Sequence, residues 1–401
     1  MISNKTILFG VTGSIAAYKI ADLASRLAKE GCDVHVLMTK NAAEFITPLT
    51  FESLTGNKCI VDTFDRNFQF NIAHVSLAQK AELCLIAPAS ANVIAKMAVG
   101  LADDMLTTTV LACKCPKIVA PAMNTNMYQN PIVQDNLKKL AGYGFTVIPP
   151  AAGVLACKAV GEGKLPPVNV LYDYLEREVS HEKDMTGQKV LVTAGPTQEA
   201  LDPVRYLTNH SSGKMGYALA KQCMLRGADV TLISGKTALE IPRFVRTVEI
   251  TSAQEMFEAV KEHFSDKDFI FKAAAVADYT PIETCMEKMK KDALGDSSNL
   301  PLKRTPDILK YLGEHKKEGQ FLCGFSMETQ NLEENSRQKL LRKNADMIAA
   351  NCLKTEGAGF QGDTNIITLI TRSSMRQLGL LTKEETADKI IDAALAEKRR
   401  Q

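Results

Sequence analysis

The sequence predicts an α/β protein of two three-layer domains, each a parallel sheet covered by helices on both faces. Three observations carry that expectation. Short apolar runs alternate with helical patterns along the whole chain, which is the order of βαβ units. The alternation starts twice, at Ile7-Leu8-Phe9-Gly10-Val11 and at Val190-Leu191-Val192, and each start runs into a glycine turn and then a helix. Finally, 401 residues exceed one ordinary core.

The first start passes through Thr12-Gly13-Ser14 into a helical pattern over 17–30 that stops at Gly31. The next strand, Val34-His35-Val36-Leu37-Met38, ends at Thr39. Strands over 83–87 and 117–120 each close on a proline, with helical stretches over 91–101 and 107–111 between them. A helix over 133–141 then leads into a strand over 145–148. Two strand ends echo each other: Ala87-Pro88-Ala89-Ser90-Ala91-Asn92 and Ala120-Pro121-Ala122-Met123-Asn124. Ligands of open parallel sheets sit beyond the carboxyl ends of the strands, so both asparagines are expected to face one pocket. The plainer alternative is that each caps the following helix. Residues 153–167 hold three glycines and two prolines around Cys157, the pattern of a mobile flap rather than a packed element. A polar stretch then separates an expected domain 1–180 and linker 181–187 from a second domain, 188–401.

That second domain repeats the alternation, with strands expected over 190–193, 229–233, 245–250, 269–273, 321–324, 347–350 and 365–371, and a final helix over 383–398. Between the first strand and a helical pattern over 217–225 stands Asn209-His210-Ser211-Ser212-Gly213-Lys214. Small hydroxyls, a glycine and a lysine at a helix start suit an anionic group, and Gly213 is expected to let a ligand approach the backbone. Over 277–305 the alternation fails, and Glu287-Lys288-Met289-Lys290-Lys291 marks a long loop or hairpin of concentrated positive charge. The plain reading of such a run is a solvated face; its place after a strand end strengthens the functional alternative without displacing that reading.

Composition excludes other classes. Apolar residues at 45%, charged ones at 23% and a net charge of +2 describe a globular protein without the field for bulk nucleic-acid binding. No apolar run is long enough to span a bilayer. Met1-Ile2-Ser3-Asn4-Lys5 leads straight into a predicted strand, so no secretory leader is expected. Ten scattered cysteines lack metal-type spacing, so reduced thiols in a cytoplasmic protein are expected.

Taken together, these motifs resemble one family along nearly the whole chain: the bifunctional bacterial coenzyme A biosynthesis proteins. In these an FMN-dependent phosphopantothenoylcysteine decarboxylase is fused to a phosphopantothenate–cysteine ligase. The first half carries Gly13-Ser14-Ile15-Ala16-Ala17-Tyr18-Lys19, His74, both strand-end tails, Asn124-Thr125-Asn126-Met127 and the flap around Cys157. The second carries Thr193-Ala194-Gly195-Pro196-Thr197, Asp202-Pro203-Val204-Arg205-Tyr206, the Asn209 run, Ala274-Ala275-Val276-Ala277-Asp278 and Lys288-Met289-Lys290-Lys291. Departures stand at Tyr128, where the family has tryptophan, at Lys158, Lys164 and Leu165 in the flap, and at Arg304-Thr305. The resemblance implies two Rossmann-like three-layer domains, a flavodoxin-like flavoprotein domain followed by a nucleotide-binding ligase domain.

For the first half it implies oxidative decarboxylation with no net redox change, the cofactor carrying the hard chemistry. Gly13, Ser14, Thr39, Ser90 and Asn92 are implied FMN contacts. His74 is the candidate base for the substrate thiol, Asn124 holds the substrate carboxylate, and Cys157 supplies a proton. For the second half it implies CTP-dependent joining of 4′-phosphopantothenate to cysteine through an acyl-cytidylate, with Mg²⁺ bridging phosphates. Asn209 would hold the activated acyl group and Lys288 would neutralise the triphosphate. Ala273, Ala274, Ala275, Asp278, Pro306, Asp307, Ile308, Leu309, Phe325, Lys339 and Lys343 would contact the nucleotide, with Asp278 also on the metal. The implied partners are these small molecules and further copies of the chain, with flavin near a subunit interface.

Two other classes compete. Against a nicotinamide-dependent reductase, neither half has a full G-x-G-x-x-G after its first strand. Against a non-catalytic binder on the flavin fold, His74, Asn124 and Cys157 are all present.

Overall fold

The computed structural model describes residues 2–64, 73–155, 158, 160–289, 299–328, 331–352 and 362–400. The chain divides into two compact units, Met1–Glu182 and Lys183–Gln401. Cys157 and residues 290–298 of the charged stretch lie outside the described residues.

In the first unit, β1 (Thr6–Val11), β2 (Asp33–Met38), β3 (Leu83–Ala89), β4 (Lys117–Pro121) and β5 (Phe145–Val147) form one parallel sheet in the order β2-β1-β3-β4-β5. The apolar runs lack alternation because both faces are covered. Ile7, Phe9 and Val11 of β1 join one core with Ile20, Leu23 and Leu27 of the helix Tyr18–Lys29. Leu8 joins a second core with Ile94, Leu106 and Leu137 on the opposite face. This is the doubly wound order of flavodoxin-like sheets, whose direction of winding reverses between β1 and β3. The glycine-rich excursion differs from the expected loose flap. β6 (Ala151–Val154) and β7 (Val160–Lys164) form an antiparallel hairpin, and its base is packed. Met123 donates its N–H to Gly163 O at 3.0 Å. A Cβ on Gly163, whose φ is +131°, would lie 2.3 Å from Met123 O, and one on Gly161 would lie 2.7 Å from Thr125 Oγ1. The glycines let the hairpin lie against the end of β4.

The second unit opens with β8 (Lys189–Ala194), followed by a small antiparallel ribbon of β9 (Gln198–Ala200) and β10 (Tyr206–Thr208). β11 (Asp229–Ser234), β12 (Arg246–Glu249) and β13 (Phe269–Lys272) come next. The stretch expected as a loop or hairpin holds an antiparallel pair, β14 (Tyr279–Pro281) with β15 (Leu302–Arg304). Then come β16 (Phe321–Glu328), β17 (Met347–Cys352), β18 (Thr364–Asn365), β19 (Ile367–Thr371) and β20 (Met375–Gln377). The main sheet runs β12-β11-β8-β13-β16-β17-β19-β20. Its first six strands are parallel and in Rossmann order, with the reversal between β8 and β13. β19 and β20 are antiparallel additions, a departure from the wholly parallel sheet expected. Val190, Val192 and Ala194 face one core and Leu191 the other. The helix Lys214–Leu225 starts three residues earlier than its apolar pattern suggests. Gly216 makes that start possible, since a Cβ there would lie 2.5 Å from Ala194 Cβ.

Candidate active sites

In the first unit the loops after β1, β3 and β4 meet around a cavity of about 520 Å³. Thr12, fully buried, joins two of them across the reversal point. Its hydroxyl donates to Pro88 O at 2.6 Å and accepts from Ser90 N at 2.8 Å. Gly13 is pinned by the tail of β2, because a Cβ on it would lie 2.7 Å from Asn41 Cβ. Ser14, Ser90 and Asn124 each cap a helix start, accepting from Ala16 N, Val93 N and Asn126 N, and each also lines the cavity. For Asn124 the capping and pocket readings hold together. Asn92 fits neither: Ser90 takes the cap, and Asn92, one residue into the helix, is exposed and off the cavity wall. Thr39 likewise caps its own short helix and lies outside the lining. His74, half-buried near the start of the helix Ala73–Lys80, is also absent from this wall.

The chemistry of the cavity suits a flat ring carrying a phosphate. Ile15, Met123, Leu155 and Leu165 supply apolar surface, while Ser14, Ser90, Asn124 and Lys19 supply hydroxyl, amide and ammonium groups. The volume lies within the usual range for a small-molecule site, roughly 300–1,000 Å³.

In the second unit two cavities, about 490 and 580 Å³, lie at the carboxyl ends of β8, β13 and β16. Lys272, Val276, Asp278, Phe325 and Lys339 line both. Hydroxyls again stitch the strand ends. Thr193 Oγ1 accepts from Ala274 N at 3.2 Å, and Thr197 Oγ1 accepts from Ala277 N at 3.0 Å. The smaller cavity takes in Asn209, Ser211, Ser212, Gly213, Lys214, Ala273, Ala274, Ala275 and Lys383. Asn209 donates to Ala275 O at 3.1 Å. The helix beginning at Lys214 has no side-chain cap, so its first N–H groups suit an anion. Gly213 has a φ of +79° and stands 3.3 Å, from its would-be Cβ, off Gly195 Cα. The tight turn requires this glycine irrespective of any ligand.

The larger cavity is lined by Arg304, Pro306, Asp307, Ile308, Leu309, Arg342 and Lys343 as well as the shared residues. Asp307 caps the helix Ile308–His315 and is ion-paired with Lys343. Burial opposes ionisation of Asp307, but that ammonium and Lys310 N–H outweigh it and hold the carboxyl below its usual range. Ile308 and Leu309 are core side chains. Lys339 donates to Phe325 O at 2.9 Å. Lys288 is exposed and lies off both walls, yet its neighbour is anchored. Met289 N donates to Asp202 at 3.2 Å, and Met289 O accepts from Arg205 at 2.5 Å. The buried Asp202 carboxylate also accepts from Val204 N and Arg205 N at 2.8 Å each. Its desolvation favours the acid form, but these N–H groups and the guanidinium hold it well below the usual carboxylate range. Asp278 stands without companions: among the described residues no group of three His, Cys, Asp or Glu side chains could hold a metal.

Two lysines escaped the sequence reading. Lys272 ends β13 on the wall common to both cavities, and burial, with the charge of Lys339, pushes its ammonium down to about 8. A lysine closing the apolar run Phe269-Ile270-Phe271 was a readable signal. Lys383, 7% exposed, lines the smaller cavity from the start of the helix Lys383–Lys398, and desolvation lowers it too. It reads in sequence as an ordinary first-turn residue.

Strand-end cavities at the reversal points of two doubly wound sheets define a two-domain α/β protein with a small-molecule site in each unit. A family model described as flavoprotein matches residues 1–180, and one described as the DNA/pantothenate metabolism flavoprotein C-terminal domain matches residues 185–397. The chain belongs to the family of coenzyme A biosynthesis bifunctional proteins. It is 44% identical over 400 residues to the protein of that name, CoaBC, from Bacillus subtilis, covering 99% of this chain and 98% of the relative. The Escherichia coli K12 protein is 38% identical over 392 residues, covering 98% and 97%. A crystal structure of the C-terminal domain of CoaBC is similar at 45% identity over 54% of this chain and all of that one, with a TM-score of 0.46. The chain is thus a bifunctional enzyme of coenzyme A biosynthesis, with phosphopantothenoylcysteine decarboxylase and phosphopantothenate–cysteine ligase activities.

Proposed function

We propose that the first unit decarboxylates 4′-phosphopantothenoylcysteine with FMN, and that the second makes this substrate from 4′-phosphopantothenate, cysteine and MgCTP. The observation that carries the division is that each unit has its own cavity at its own strand reversal. Residues 1–180 made alone should fold, remain yellow and decarboxylate added substrate; an insoluble or colourless fragment would overturn the boundary or the flavin assignment.

When bound, FMN supplies the two-electron chemistry that the side chains lack. Ser14, Ser90 and the backbone around Gly13 would hold its phosphate, and Ile15, Met123 and Leu165 would flank its ring. Asn124 orients the substrate carboxylate through a neutral amide, which does not favour retention of its charge. His74 takes the thiol proton. Ile15, Tyr18, Met127 and Val154, all exposed apolar residues, surround the cavity mouth or its approach. They favour a homo-oligomer in which a second copy covers the flavin and contributes His74. Mixing His74→Asn with Asn124→Ala chains should then restore activity that each lacks alone. Cys157, outside the described residues, is assigned the final proton by resemblance. Cys157→Ser should release carbon dioxide while a product two hydrogens lighter accumulates.

In the second unit, the carboxylate of phosphopantothenate occupies the smaller cavity beside Asn209, and the nucleotide occupies the larger one between Pro306 and Lys343. Mg²⁺ arrives with the triphosphate, since the lone Asp278 suits an ion whose other ligands are phosphate and water. Lys288 closes over the triphosphate from the anchored Met289 side. Pyrophosphate release with CTP against ATP, with and without cysteine, tests the nucleotide and the acyl-cytidylate together. No described helix is long and apolar enough to cross a membrane, and buried thiols at Cys84, Cys223 and Cys323 suit a reducing cytoplasm.

A further inference from the structure

We propose that Lys272 is a charge anchor of the ligase reaction, bonding the α-phosphoryl group where the nucleotide joins the substrate carboxylate. This rests on the placement of nucleotide and carboxylate in the two cavities of the second unit. An acyl-nucleotide that spans them has its new C–O–P linkage at their common wall. Of the five residues on that wall, Val276 and Phe325 are apolar and Asp278 is anionic. Lys339 reaches the wall from the helix Leu332–Arg342 and, as Lys272 does, already donates one bond to a backbone oxygen, that of Phe325. Lys272 ends β13, which pairs with β8 on one side and β16 on the other, so its backbone is held from both sides. Its Nζ donates to Ala274 O at 3.0 Å, in the turn after β13 that lines the smaller cavity. A half-buried ammonium there faces the atoms whose charge changes as pyrophosphate departs, the place where a preorganised cation is most effective.

The surroundings give this anchor a second property. The charges facing Lys272 are Lys339 and Lys343 from the helix Leu332–Arg342 and its C-terminal end, Asp307 from the helix cap opposite, and Asp278 from its own following loop. Asp307 is already paired with Lys343. With burial, this leaves the free amine titrating at about 8. An anion bound against it favours the protonated form, so nucleotide binding is coupled to proton uptake. Binding therefore draws a proton where the pH is high enough to leave the free amine partly neutral.

The test uses the full chain and compares wild type with Lys272→Met, Lys272→Arg and Asn209→Ala. Pyrophosphate release from MgCTP with phosphopantothenate is measured, along with proton uptake on MgCTP binding by calorimetry in buffers of different ionisation enthalpy. Lys272→Met should slow release by roughly 10²-fold. Lys272→Arg, which keeps a cation but does not titrate, should restore most of that rate while losing the uptake seen at pH 8. Release at the wild-type rate by Lys272→Met, or unchanged proton uptake in Lys272→Arg, would overturn the inference. If Asn209→Ala also matches wild type, the failure lies in the placement of the two cavities; if Asn209→Ala is slow, it lies in Lys272 alone. Should Lys272→Met not fold, the proton uptake of Lys272→Arg still decides.

Discussion

Replacing Thr12 with valine keeps shape and volume at a fully buried position and removes only the hydroxyl that bridges the ends of β1 and β3. The bond to Pro88 O is buried and 2.6 Å long; the bond from Ser90 N is partly buried and 2.8 Å long. A buried polar group left without its partner costs about 1–3 kcal/mol, and a partly wetted one about 1 kcal/mol. The sum is about 2–4 kcal/mol, with almost no compensating change in packing. For a unit of 150–250 residues each kcal/mol moves the melting temperature by about 2–4 °C. The first unit should therefore melt roughly 5–15 °C lower by calorimetry. Ser90 and the helix it caps stand directly on this bridge and on the cavity wall, so flavin per chain and decarboxylation should fall together. Thr12→Ser keeps both hydrogen bonds and loses one methyl, costing about 1 kcal/mol; it should retain flavin. If the valine variant melts with wild type, or the serine variant loses as much flavin as the valine one, the hydroxyl bridge does not organise this site.

Lys288→Gln should slow pyrophosphate release by roughly 10²–10³-fold while decarboxylation continues at the wild-type rate; an unchanged release rate would move the triphosphate contact to Lys339 or Lys343. Gly163→Ala should displace the hairpin from Met123, because the added Cβ would start 2.3 Å from a carbonyl oxygen. Limited proteolysis of residues 151–164 should accelerate, and full resistance would show that the close approach is not binding. Asp202→Asn should weaken the second unit at neutral pH, where the wild-type carboxylate is charged and bonded. The folded pKa is depressed, so its stabilisation is present above the ordinary carboxylate range and is lost as pH falls through the folded value. The melting gap between wild type and variant should therefore narrow below about pH 4; a gap that stays constant across pH 3–7 would place the effect outside the titration of Asp202.

Much of this fold is written locally. Apolar runs such as Leu83-Cys84-Leu85-Ile86 and turns such as Gly195-Pro196 are short-range signals, because strand burial on both faces and glycine conformations depend on few neighbours. These cavity-lining positions were legible for a related reason: a strand end that leads into a helix start has a local pattern, so Ser14, Ser90, Asn124 and Asn209 could be picked out from their own segments. What the chain order could not show is which strand ends meet. The positions of Thr12 between β1 and β3, and of Thr193 and Thr197 against the turn after β13, arise from pairings across about 80 residues. The sheet alone brings them together. Asn92 and Asn124 look alike in sequence and separate in space, since Ser90 takes the cap in one tail and leaves Asn92 facing solvent. Lys272 shows the difference most clearly. Its letter follows an apolar strand in the sequence, but its shared wall, its neighbours Lys339 and Asp307 and its lowered ammonium exist only once distant segments have excluded water around it.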